Sequence, residues 1–176
     1  LVKGLVLDQS FRHELMPKRM EKVHILVLNV SLEFEDTVVK TIMPISNADE
    51  KERMMIAERK FVDNKIRSII DLRNAVEGDF LLVNGKGIDG PSLDMLAHAN
   101  ISAIRRASNK TIQRLVYACG CRVVNCVDDL YPQVLGFAGK VTEEEFNKIK
   151  YAQINRRQSR YAKCLETFTI FIKTKF

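Results

Sequence analysis

Residues 78–127 read GDFLLVNGKGIDGPSLDMLAHANISAIRRASNKTIQRLVYACGCRVVNCV, and predicted strands alternate with predicted helices along them. Short runs of branched and aromatic residues indicate buried strands, and apolar residues at helical spacing indicate the helices between them. The predicted elements are a strand from Gly78, a helix over Ser92–Asn100, a strand over Ile101–Ala107, a helix over Asn109–Cys119 capped by Gly120, and a strand over Arg122–Val127. This alternation is typical of an α/β domain with parallel strand pairing.

The preceding sequence adds a strand and a long helix. Val23–Leu32 is rich in branched residues and predicts a buried strand, and Phe34–Ser46 has no period and predicts a loop. Asn47–Val76 predicts a helix of about 45 Å, whose apolar repeat occupies only its second half. We therefore expect the charged first half to project from the body. Glu166–Lys173 alternates in hydrophobicity and predicts a closing strand.

Composition limits the class of protein. The chain has 176 residues, of which 46% are hydrophobic and 28% charged, which is enough for one domain with a sizeable core and excludes general disorder. The longest apolar run, Val23–Leu32, is too short for a membrane span and carries His24, Asn29 and Ser31. The chain shows no secretory signal and begins without Met, so we expect a fragment of a longer, cytoplasmic protein.

The net charge of +6 is unevenly distributed. No acid stands between Glu145 and Glu166, and this stretch contains a basic run: Lys148, Lys150, Arg156, Arg157, Arg160 and Lys163. The run has two interpretations. It is either a solvated basic loop or a nucleic-acid-binding patch, and the second predicts binding that weakens steeply with salt.

The cysteines and the glycines have structural and chemical interpretations. Cys119, Cys121 and Cys126 are clustered and Cys164 follows, but all histidines lie upstream, so buried structural cysteines fit better than a zinc site. The glycines Gly85, Gly87 and Gly90 have dinucleotide-site spacing. Asp89 stands where a pyrophosphate would sit, and no acid follows at the required distance, which favours a turn using positive φ.

Asp128 and Asp129 follow a predicted strand end. They are interpreted as a cap for a short helix or, in a small α/β enzyme, as part of an active site. The enzyme hypothesis predicts a concave pocket with perturbed carboxylates. No complete catalytic constellation accompanies them.

Several long segments resemble those of one protein family, and they occur in the same order along the chain as in that family. Residues 4–37, 47–72, 84–120 and 128–139 are similar to group II chaperonins, with GLVLDQSFRHELMPKRMEKVHILVLNVSLEFEDT, AERKF, NGKGID and DDLYPQVLGFAG as the most specific parts. The resemblance covers residues 1–147 and 164–173. Residues 148–163 look like a basic insertion in a connection expected to be a short hairpin.

The resemblance implies a fold and an activity. The whole chain, 1–176, would be a single apical domain with a β-sheet core flanked by helices, and 35–60 would form the helical protrusion that serves as a built-in lid. The resemblance implies that this domain binds unfolded polypeptide clients and belongs to a double ring of subunits. The phosphate loop and catalytic acid of the family are missing. The fragment would therefore need no cofactor and be no enzyme, and ATP and Mg²⁺ would bind elsewhere in the full subunit.

The family also implies client-binding positions. They are the loop after the long strand, with Leu32, Glu33, Phe34 and Glu35, and the outer face of the 92–100 helix, with Ser92, Asp94, Met95 and His98. Helical spacing places Leu93, Leu96 and Ala97 toward the core. Met54, Met55 and Ile56 would make lid or client contacts. An ordinary solvated helix face is the alternative for Met95 and His98, and exposed apolar residues without a role are the alternative in the protrusion.

Overall fold

The computed structural model describes residues 2–34, 48–155 and 168–169. These residues contain strands β1 to β9 and helices α1 to α3. Their bounds are β1 Val2–Lys3, β2 Leu5–Leu7, β3 Arg19–Leu28, α1 Ala48–Asn74, β4 Asp79–Asn84, α2 Gly90–His98, β5 Ile101–Ile104, α3 Asn109–Cys119, β6 Val123–Val124, β7 Gly136–Phe146, β8 Ile149–Asn155 and β9 Phe168–Thr169.

Seven of these strands form one mixed sheet in the order β2-β8-β7-β3-β4-β5, with β6 beside the end of β3. The pairs β3–β4, β4–β5 and β3–β6 are parallel, whereas β7 and β8 are antiparallel to their neighbours. The predicted α/β class with parallel pairing is confirmed. Because right-handed crossovers connect parallel strands, α1 and α2 lie on one face of the sheet and α3 on the other.

The centre of the sheet is the core of the molecule. The last strand residues of β3 and the apolar residues of β4 are buried without interruption, as expected of parallel strands covered on both faces: Ile25, Leu26, Val27, Leu28, Phe80, Leu81, Leu82 and Val83. The predicted Gly120 cap is confirmed, because Gly120 ends α3 in the left-handed conformation.

The long helix has the predicted division along its length. Val62, Ile66, Ile69 and Leu72 are buried at helical spacing, whereas Ile56 is 49% exposed. Over the described side chains of the first half, residues 52–60, every position is exposed or half-buried. The helix therefore anchors by its second half and presents its first half to solvent.

Three strand predictions need correction at their ends. β3 runs over Arg19–Leu28 instead of Val23–Leu32, because β7 pairs with its first half through Arg19↔Thr142. β5 ends at Ile104 and β6 is only Val123–Val124. The chain then turns into a 3₁₀ helix over Val127–Asp129. The closing strand is described only at Phe168–Thr169, where it pairs with β1.

The basic stretch is not a solvated loop over its first half. Residues 149–155 form β8, in which Ala152 and Ile154 are buried, and this strand pairs with both β7 and β2. Asn147 and Lys148 have positive φ and make the two-residue turn of the β7–β8 hairpin. Glu145 lies opposite Lys150. The loop interpretation is wrong here because charged residues conceal the strand alternation. Residues 156–163 lie outside the described part of the chain.

Residues 8–18 contact the sheet near both ends of its strand order, at β8 on one side and at β5 on the other. The Ala152 amide donates to the Gln9 carbonyl, and the Gln9 side chain donates to the Arg106 carbonyl at 3.1 Å. The Ala103 amide of the edge strand β5 donates to the Met16 sulfur at 3.3 Å. This segment satisfies an amide of the sheet edge and brings His13 to α2.

Candidate binding surface

The loop that follows β3 is held against the end of β4. The buried Asn84 side chain donates to the Val30 carbonyl at 2.8 Å and accepts from the Val30 amide at 3.3 Å. Leu32 then forms a parallel bridge with Ile88 and is fully buried. Leu32 therefore positions the loop, and its side chain does not lie on the surface as the prediction required. Asn84 and Val30 are 54 positions apart, so no local pattern in the sequence indicates this role of Asn84.

The glycine turn is built for close approach of a side chain. The Glu33 carboxylate lies on Gly87, where any Cβ would overlap it, and Glu33 also pairs with Arg106 at 3.0 Å. None of Gly85, Gly87 and Gly90 has positive φ, so that part of the turn interpretation is wrong. The contacts support the interpretation as a turn and argue against a phosphate site. The Asp89 carboxylate already accepts from the first-turn amide of α2, where a phosphate would bind.

Helix α2 buries one face and exposes another. Leu93, Leu96 and Ala97 are buried as predicted, but Ser92 is buried too. Its predicted outward position is wrong, because Ser92 stands four residues before Leu96 and therefore shares its face. Asp94 and His98 are exposed, and Met95 is half-buried against the core.

A contact between His13 and Asp94 joins this exposed face to the preceding segment. The Nε2 of His13 lies 2.9 Å from the Asp94 Oδ1, and the Asp94 side chain is the more exposed partner. The pair holds the 8–18 segment on α2 at the rim of the candidate surface. The two residues are 81 positions apart, so no local pattern in the sequence indicates it.

Asp89 connects three elements of the surface. Its Oδ1 accepts from the Ser92 amide at 2.9 Å, and its Oδ2 accepts from Arg59 of α1 at 2.7 Å and from the Phe34 amide at 3.4 Å. Burial alone would raise the pKa of Asp89, but the hydrogen bonds from Ser92 and the charge of Arg59 outweigh it and lower the pKa. Asp89 is therefore held as a carboxylate.

The predicted lid residues lie on the exposed half of α1. Met55 and Ile56 are exposed and Met54 is half-buried, within one and a half turns of Arg59. Glu35 and the rest of 35–47 lie outside the described residues. Of the predicted positions, Glu33, Phe34, Asp94, Met95, His98, Met55 and Ile56 are exposed or half-buried, and Asp89 links the three elements that carry them.

A cleft of about 390 Å³ flanks the other side of the loop. Phe61 of α1 is 63% exposed there, and the Lys65 ammonium lies 4.3 Å from its ring centre. Lys65 also donates to the Ser31 carbonyl at 3.4 Å. Sequence reasoning missed Phe61, although its position one residue before the buried Val62 gives it a different direction on the helix.

The acids and cysteines near this cleft do not form the predicted arrangements. Asp128 lines the cleft, but both aspartates lie inside the 3₁₀ turn and no side chain caps it, so the cap interpretation is wrong. Cys126 is exposed and lies 3.2 Å from Asp128, unlike the expected buried thiol. Burial raises the pKa of Cys121 to about 11, which suits a structural role. Cys164 lies outside the described residues.

Among the described residues, no three His, Cys, Asp or Glu side chains are grouped as metal ligands would be. Among the same residues, no helix combines the length and apolar content that a membrane span requires.

Comparisons with known proteins agree with the resemblance. The sequence profile of the TCP-1/cpn60 chaperonin family matches residues 1–174. The T-complex protein 1 subunit zeta-2 of Homo sapiens is 44% identical over 158 residues, which is 88% of this chain and 30% of that protein. This agrees with the quoted segments, which look most like the zeta subunit of the eukaryotic cytosolic chaperonin.

A solved structure shares the fold. The open-state monomer of a group II chaperonin from Methanococcoides burtonii matches with a TM-score of 0.66 at 23% identity. The match covers 90% of this chain and 32% of that one. The chain thus spans about a third of the length of both relatives.

Proposed function

The chain belongs to the TCP-1/cpn60 chaperonin family, and we propose that it is the apical domain of a group II chaperonin subunit, the domain that holds unfolded polypeptide. The observation that carries this proposal is the meeting of the loop after β3 with α2 and α1 at Asp89. These elements meet beyond the carboxyl ends of the central strands β3 and β4, and they carry both apolar and polar side chains.

The composition of this surface suits varied clients. Met95 offers a pliable apolar contact, and Phe34 lies half-buried on the loop. Glu33, Asp94 and His98 add polar contacts, which favour selected sequences over any exposed apolar segment. Leu32 and Ser92 support the surface from beneath. Met55 and Ile56 extend it along α1 into the proposed lid segment.

The remaining activities belong to the full subunit in this proposal. ATP and Mg²⁺ would bind in parts of the subunit that this chain does not contain, and the chain itself would hydrolyse nothing. Copies of related subunits would form a double ring in the cytoplasm. Several apical domains could then hold one client together, which would raise weak single contacts to useful affinity.

Suppression of aggregation tests the proposal. A chemically denatured test protein is diluted with the 176-residue chain, without nucleotide, and light scattering is followed. We expect the chain to suppress scattering and the double variant Phe34→Asp with Met95→Asp to lose that effect, because two charges would replace the apolar contacts. Scattering unchanged by the parent chain would contradict polypeptide binding by this domain.

A matched control separates the surface from exposed apolar residues in general. Phe146→Asp changes an equally apolar, exposed side chain at the end of the β7–β8 hairpin. We expect this variant to suppress scattering as well as the parent does. Equal loss in both variants would mean that the client site is not where we place it.

A further inference from the structure

Asp89 contacts three separate elements through one carboxylate. Its Oδ1 holds the first turn of α2, while its Oδ2 is shared by the Arg59 guanidinium of α1 and the Phe34 amide of the loop. Because a carboxylate is planar and rigid, displacing one oxygen also displaces the other. The three elements are therefore linked by a single small group.

Arg59 marks the boundary between the two halves of α1. Val62, about one turn further along, is the first buried residue of the apolar stripe, and the described side chains before Arg59, residues 52–58, are exposed or half-buried. The guanidinium also lies 2.8 Å from Asp63 on its own helix. Arg59 and Asp89 are largely shielded, with side-chain exposures of 28% and 19%. Partial shielding makes a charged hydrogen bond stronger than one at an open surface.

We propose that Asp89 is a positioning residue that couples the orientation of α1 to the loop and to α2. A movement of the exposed half of α1 would pull on the Oδ2 through Arg59, and would then alter the hold on Phe34 and on the first turn of α2. The mechanical link stands on the contacts alone. Its consequence, that client contact and lid movement influence each other, rests on the proposed function.

A purely structural role as helix cap makes a different prediction. Asn is a good N-cap, so Asp89→Asn keeps the acceptor for the Ser92 amide while it removes the charge that binds Arg59. Arg59→Met removes the same ion pair from the other side and leaves the cap untouched. If Asp89 only caps α2, Arg59→Met should leave the loop unchanged, whereas Asp89→Asn also replaces the acceptor of the Phe34 amide and shows the effect of losing that bond directly.

Amide hydrogen exchange of the 176-residue chain, followed by NMR without any client, decides between the two. We expect Arg59→Met to accelerate exchange of the Phe34 amide by about tenfold, in the range of a hydrogen bond to a charged group, although Arg59 does not bind that amide. Asp89→Asn should accelerate it similarly, and the double variant should add little because both changes break one link. Asp63→Asn is the control on the same helix and should change the Phe34 rate by less than about twofold.

An unchanged Phe34 exchange rate in Arg59→Met, with faster exchange in α1, would overturn the proposal.

A second experiment adds reduced, carboxymethylated α-lactalbumin, which stays unfolded. We expect its binding to slow exchange around Arg59 in the parent chain and not in Arg59→Met. If this protein does not bind, the proposed function fails for the chain, while the client-free arm still decides the coupling. Binding that slows exchange equally in both would also overturn it.

Discussion

The two halves of α1 differ in almost every respect although they form one continuous helix. The second half buries Val62, Ile66, Ile69 and Leu72, whereas the first half exposes Met55 and Ile56 among charged residues. Burial of apolar side chains stabilises the fold in proportion to the area removed from water. Residues of the second half should therefore determine stability, and those of the first half should be free to make contacts outside the domain.

The largest expected effect lies in the buried half. Ile66→Ala should destabilise the chain by about 2 to 5 kcal/mol, because it removes buried methylene and methyl groups and leaves a cavity. Urea unfolding followed by circular dichroism measures the change. A loss below about 0.5 kcal/mol would mean that α1 is not anchored where the burial pattern places it.

The junction between the halves should give an intermediate, pH-dependent effect. Asp89→Ala should cost about 1 to 2 kcal/mol at pH 7, since it removes the cap of α2 and the partner of Arg59. The folded pKa of Asp89 is lowered, so this stability is fully present above the unfolded value of about 3.9 and is lost as the pH falls through the folded value. Urea midpoints of parent and variant should therefore converge below about pH 4. A difference independent of pH would contradict the charge contribution.

The open ion pair on the loop should matter less. Arg106 is the more exposed member of its pair with Glu33. Arg106→Gln should reduce the free energy of unfolding by less than about 1 kcal/mol, and added salt should reduce the difference further. A larger, salt-independent loss of stability would show that the ion pair with Arg106 is required to hold the Glu33 carboxylate against Gly87.

The smallest stability effect is expected in the exposed half. Ile56→Ser should change the free energy of unfolding by no more than about 0.5 kcal/mol. The same variant should weaken suppression of aggregation if the exposed half contacts clients. Destabilisation close to that of Ile66→Ala would erase the contrast between the two halves.

Much of the fold could be predicted because its causes are local. The strand alternation around 78–127 and the half-buried pattern of α1 depend on the spacing of apolar residues over one or two turns. The strand β8 was not predicted, because Lys148 and Lys150 conceal the alternation that places Ala152 and Ile154 in the core. Its burial depends on β2 and β7, which lie elsewhere in the sequence.

The candidate surface, too, was predictable from the sequence only in part. Motifs in the sequence were sufficient to locate the loop, α2 and the exposed half of α1. Only the tertiary structure shows that Leu32 and Ser92 are buried and that Asp89 joins Arg59 to Phe34. Helical and strand periods arise from neighbouring residues and can be read from the sequence. The Asp89 contacts depend on three chain segments meeting at one carboxylate, and no spacing in the sequence records that meeting.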